Sequence, residues 1–170
     1  MFHEVSQCCA LLSNQPAGVL LLKLHSETNS AMNTVTAYGP GYVDINEQRY
    51  EHAIAFGPTG EISSWSARNP SDISTDLLLA AARISMAKPD PMAFLDASEE
   101  PEAIITGERP EVLLIGTGSK QILLAHHIVA PMLKIGIGVE CMSTEAAART
   151  YNILMSEGRR VIAALLTEAT

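Results

Sequence analysis

The chain has 170 residues, 47% apolar and 18% charged, a balance that fits a folded domain with a sizeable core and excludes a disordered chain. Nineteen acidic against eleven basic residues give a formal net charge of −8. The basic residues are scattered, with Arg159-Arg160 the one adjacent pair, so no basic stripe is available for nucleic acid.

Ala17 to Leu24 is an apolar run, but Lys23 interrupts it. It is too short to span a bilayer and lacks the layout of a secretory signal. No Arg precedes Arg49, which argues against an Arg-rich mitochondrial presequence. The three cysteines, Cys8, Cys9 and Cys141, form neither a disulfide framework nor a metal-ligand spacing. The expectation is a soluble, cytoplasmic protein with no direct membrane insertion.

Residues 1–30 read as an N-terminal extension. Residues 31–170 read as a single α/β domain with an acidic excursion at 86–110. The domain opens with a β-meander over 33–65. Asn33 to Tyr38 is rich in Thr, Val and Tyr, and Gly39-Pro40-Gly41 turns the chain. Tyr42 to Asn46 alternates, and Glu47-Gln48 is expected to be the next two-residue turn. Arg49 to Phe56 then reads as one strand, with Tyr50, His52, Ile54 and Phe56 on one face.

Ser74 is the expected N-cap of a helix over about Thr75 to Met86, with Leu77, Leu78, Ala81 and Ile84 as its apolar stripe. Lys88-Pro89-Asp90-Pro91 would stop it. Short helical pieces are expected over 92–110. Val112 to Ile115 is a continuous apolar run, as in a strand buried on both faces. Gln121 to Leu124 is a candidate short strand, His126 to Lys134 a helix interrupted by Pro131, and Ile137 to Cys141 the next strand. Ser143-Thr144 should cap a helix that Gly158 ends. Its core face is read as Ala146, Ala147, Thr150, Ile153 and Leu154, with Glu145, Arg149, Asn152 and Ser156 opposite. Val161 to Leu166 is the last strand. Strands alternating with helices imply a sheet covered on both faces.

Gly116-Thr117-Gly118-Ser119-Lys120 follows a buried strand, where open α/β sheets often bind ligands. Backbone N–H groups at the glycines, with Lys120, could hold an anion. The stretch lacks the spacing of a phosphate loop and the third glycine of a dinucleotide fingerprint. A tight turn leaving the sheet is the plainer reading. Arg149, Tyr151 and Asn152 could line a groove beside it. Cys141 precedes a helix N-terminus, where a thiolate would be favoured, but no base is identifiable and Cys packs well in cores. No catalytic residue, metal ligand or cofactor is assigned.

Several stretches resemble one family. They are Val112 to Gly118, Gly136 to Glu140, and Thr144 with Thr150-Tyr151-Asn152-Ile153-Leu154. Glu157 to Val161, Ala163 to Leu166, and Tyr38 to Val43 with Arg49 to His52 complete the set. The family consists of small domains of largely unknown function. It includes a mitochondrial assembly factor for respiratory complex I and an adipogenesis-associated protein of animals. The likeness covers roughly 31–66 and 111–167. It implies a three-layer α/β fold, with a mixed central sheet covered by helices and a β-meander layer at one side. It also implies work through protein partners, in respiratory or other membrane assembly, without catalysis or cofactor. Two readings of function result. The first is a non-enzymatic binding or assembly protein. The second is an enzyme or sensor for a small anion at Gly116 to Lys120.

Overall fold

A computed structural model of the chain describes residues 32–86, 103–105 and 109–167. The N-terminal extension and most of the excursion therefore lie outside the described residues. Three antiparallel strands come first: β1 (Val35–Gly39), β2 (Tyr42–Ile45) and β3 (Gln48–Tyr50). Ile45 pairs with Gln48, so the hairpin turn is Asn46-Glu47, one residue earlier than expected. Both residues have positive φ, 49° and 68°, the backbone that a two-residue hairpin turn with native twist requires. Asn tolerates that region better than most residues. Across the hairpin, Arg49 Nε donates to Asp44 Oδ1 at 2.9 Å, and this hydrogen bond holds the Asp44 carboxyl below its usual range.

The expected single strand over 49–56 is two strands in two sheets. After β3 the chain bends at 51–53 and re-enters as β4 (Ile54–Phe56). Only Ile54 and Phe56 of the four alternating residues are buried, while His52 is exposed. Period-two patterning cannot show that a strand changes partners midway.

The larger sheet runs in the order β5 (Ser63–Ser64), β4, β10 (Val161–Leu165), β8 (Val112–Gly116), β9 (Gly138–Met142). Strands β10, β8 and β9 are mutually parallel, and β4 is antiparallel to β10. Alternate residues of its strands point to opposite faces. Leu113, Ile115, Ala164 and Ala55 face α1 (Thr75–Ala81) and α2 (His126–Lys134). Leu114, Ala163, Leu165, Ile54 and Phe56 face α3 (Thr144–Ser156) and the meander residues Val35, Val43 and Ile45. The fold is thus three-layer α/β, with helices on one side and a helix plus the meander on the other.

Helix α1 is shorter than its pattern suggested. Ser74 caps it, accepting from the Leu77 N–H. It ends at Ala81, and Arg83 at φ 57° turns the chain. Ile84–Met86 forms β6, which pairs antiparallel with β7 (Ala103–Ile105). A strand therefore stands inside the stretch expected to be helical pieces. The spacing of Ile84 and Met86 suits either structure, and a remote partner decides it. The expected strand over 121–124 is irregular instead, because the chain there has left the end of the sheet.

Helix α3 has Ser143 as N-cap, and Gly158 follows its last turn at φ +76°. Its buried face is Thr144, Ala147, Ala148, Tyr151 and Met155. That face is rotated from the expected one, and Ile153 is 56% exposed. Alanines around the first turn leave the phase of the helix undetermined by hydrophobicity. The large Tyr151 side chain settles it, fully buried with its ring 4.7 Å from that of Phe56. Burial raises the Tyr151 hydroxyl well above its ordinary value of 10.0. In the unfolded chain this group loses its proton near pH 10, while in the folded chain it keeps it. Its contribution is therefore fully present below about pH 10 and declines above, by up to about 1.4 kcal/mol per pH unit. In urea unfolding between about pH 9 and 12, Tyr151→Phe should show a shallower loss of stability than the parent.

Candidate functional site

The crossovers after β8 and β9 pass to opposite faces, β8 leading to α2 and β9 to α3. The carboxyl ends of these two neighbouring strands therefore form the switch point where open sheets place ligands. The turn Gly116 to Lys120 lies there, as the sequence suggested. Its interior is filled by the protein's own bonds. The Thr117 N–H donates to Met142 O at 2.9 Å. Thr117 Oγ1 lies 2.6 Å from Lys120 O and 3.0 Å from Met142 O, and it accepts from the Ile122 N–H. The Gly118 N–H donates to Thr144 Oγ1 at 3.0 Å, and that hydroxyl donates to Leu166 O. Gly118 O accepts from the Thr144 N–H at 2.8 Å. Gln121 Nε2 reaches Cys141 O at 2.8 Å. Thr117 and Thr144 are both buried. Two of the N–H groups an anion would use are thus already engaged, while Ser119 and Lys120 are exposed on the outer side.

Arg149, Tyr151 and Asn152 form a separate group further along α3. The Asn152 carboxamide holds both polar groups of Val35, accepting from its N–H at 3.0 Å and donating to its carbonyl at 2.7 Å. Tyr151 Oη donates to Asn33 O at 2.9 Å. Arg149 Nη1 donates to Tyr38 Oη at 2.9 Å. All three tie the meander to α3, across more than a hundred residues of sequence. Asn152→Ala should cost about 1–2 kcal/mol, since two strand groups lose partners at once. Amide exchange of β1 should accelerate before that of β8.

Cys141 is half-buried against the α1–α2 core. Burial first, and then the Glu140 charge, push its thiol above the ordinary value. A thiol in that setting is a packing residue. His126 and His127 are exposed at the start of α2. Among the described residues no group of three His, Cys, Asp or Glu side chains is placed to hold a metal ion.

The feature that sequence reading missed is an apolar ledge. The chain leaving the turn presents Leu123 at 76% exposure and Ile122 at 40%. Beside them is a groove of about 610 Å³, walled by Pro70, Ile73, Leu124, Ala125 and Ile128. The signal was present, because three consecutive apolar residues follow a tight turn. A buried strand leaves the same signal.

The family model described as "Protein of unknown function (DUF498/DUF598)" matches residues 35–166. The chain belongs to this family. The DUF498/DUF598 domain has solved relatives. A Bordetella pertussis protein, described as a Mth938-like domain, is 51% identical with a TM-score of 0.67, over 87% of this chain and 94% of that one. Among curated proteins, the zebrafish (Danio rerio) "NADH dehydrogenase [ubiquinone] 1 alpha subcomplex assembly factor 3" is 29% identical over 81% of this chain and 66% of its own length. The "13 kDa major membrane protein" of Francisella tularensis is 41% identical over 34% of this chain and 47% of its own length. The DUF498/DUF598 chain thus spans less than two thirds of these two curated relatives. Among its described residues no helix is long and apolar enough to cross a membrane.

Proposed function

We propose that this chain is a non-enzymatic binding or assembly protein of the cytoplasm. It engages a protein partner, a subunit of a respiratory or other membrane assembly, at the sheet end that carries the Gly116 to Lys120 turn. The observation that carries this reading is the exposed Ile122-Leu123 ledge beside its groove. Together with the apolar groove it borders, the exposed pair forms a patch, and such patches mark interaction sites. The ledge is anchored at its base by the Thr117 hydrogen bonds, so binding it orders little chain. Ser119 and Lys120 form a polar rim at one side. The name of the zebrafish relative supports assembly work as the setting.

Burying a leucine side chain is worth about 1.5–3 kcal/mol. Leu123→Ser should therefore weaken partner capture by roughly ten- to a hundredfold, with the melting temperature unchanged. Equal capture by the variant and the parent would reject the ledge as the contact.

A further inference from the structure

A second recess opens at the same end of the sheet, on the side away from the turn. It measures about 370 Å³, and its lining includes His52, Ser64, Trp65, Ser66, Arg68 and Thr167. The strand registers bring these residues together. Leu165 pairs with Ile54, and Ile54 with Ser64. Two residues beyond this row, in the direction of β10, stand Thr167, His52 and Ser66, all at the carboxyl end of β10. Ligands of open α/β sheets sit outside such strand ends.

Two observations single out this recess. Thr167 is 5% exposed, and among the described residues its Oγ1 is the one buried side-chain nitrogen or oxygen with no hydrogen-bond partner. Native folds satisfy nearly all such groups, and an exception calls for an explanation. The second is Arg68. Its neighbour Asp72 spends one carboxylate oxygen on the backbone N–H groups of Arg68 and Asn69, at 3.1 Å each. Among the described residues the Arg68 guanidinium has no ion-pair partner. An exposed cation and a buried residue with an unpartnered hydroxyl thus line one recess. Trp65 forms a further wall, fixed by its indole N–H on Leu77 O at 3.3 Å.

We propose that this recess binds a small carboxylate bearing a hydroxyl or amino group on the adjacent carbon. The carboxylate would take the planar fork of Arg68, which matches its geometry. The hydroxyl or amino group would take Thr167 Oγ1, which both donates and accepts. Glu51, also at the recess, disfavours a second negative charge and suits an ammonium. The volume is near the lower end of ligand cavities, about 300–1,000 Å³, so the ligand is small.

Trp65 is the single tryptophan of the chain, so its emission and indole N–H resonance give a probe in the wall of this recess. Titration with L-lactate and with L-alanine should give a saturable change in both signals, with acetate weaker than either. Arg68→Ala should weaken binding tenfold or more. Thr167→Val keeps the shape and removes the hydroxyl. It should weaken binding too, and raise the melting temperature of the free protein by about 2–6 °C, because an unpartnered buried hydroxyl is gone. No saturable change with either probe up to about 20 mM, a concentration reaching Kd values far weaker than micromolar, would overturn the proposal. So would affinities untouched by both substitutions.

Discussion

Gly116→Val is expected to destabilise the fold by about 3 kcal/mol or more, at the upper end of what overpacking costs. A Cβ at position 116 would meet Leu165 Cδ2 at 2.8 Å, and Thr144 Cα and Oγ1 at 3.0 Å. The Leu165 side chain is fully buried, so moving its Cδ2 aside displaces core neighbours. The Thr144 Cα is backbone at the first residue of α3. Any retreat of Thr144 would also break the hydroxyl bonds that join Gly118 to Leu166, leaving buried backbone groups unpaired at about 1–3 kcal/mol each. Gly118 matters for a different reason, its φ of +91°. Gly118→Ala should cost only about 1–2 kcal/mol, the strain of one left-handed residue. Denaturant melts of the two variants compare close approach with backbone strain, and Gly118→Ala being the worse would contradict this packing.

Tyr151→Ala is expected to cost about 3–5 kcal/mol, as for other large aromatic residues removed from a core. The ring is fully buried and packs edge-on against Phe56 at an interplanar angle of 67°. Its hydroxyl also anchors Asn33, whose carboxamide donates to Gly57 O and Gly60 O at 2.9 Å each. One side chain therefore links α3, the start of the meander and the loop after β4. Tyr151→Phe separates the two contributions. It keeps the packing and should cost only about 1–2 kcal/mol. An alanine variant no worse than the phenylalanine variant in urea melts would show that the ring is not a core element.

These two residues also show what could be read from sequence. The apolar runs at 112–115 and 161–166 were legible because parallel strands buried on both faces carry little else. The caps of α3 were legible because Ser143 and Gly158 carry local chemistry. The turn was legible as a turn. Its filling was not, since Thr117 and Thr144 act through hydroxyl bonds to backbone 22 to 26 residues away, and such bonds have no sequence period. For the same reason Tyr151 and Asn152 were read as groove residues, while the structure uses them to hold Asn33 and Val35. The hairpin slip at Asn46 and the overlong α1 are errors of boundary, decided by a tolerant αL residue and by a strand partner at 103–105. The Ile122-Leu123 ledge went unread because an exposed apolar run and a buried strand look alike until the chain is folded.

The most direct test of the binding reading is a photo-crosslinking amino acid placed at position 123 of the full chain, expressed in its own cells at native abundance. The adduct is identified by mass spectrometry and compared with one placed at Ser156, on the exposed side of α3. The account predicts a covalent adduct with a subunit of a respiratory or other membrane assembly at position 123 and none at 156. No adduct at 123, or the same set of proteins at both positions, would contradict it.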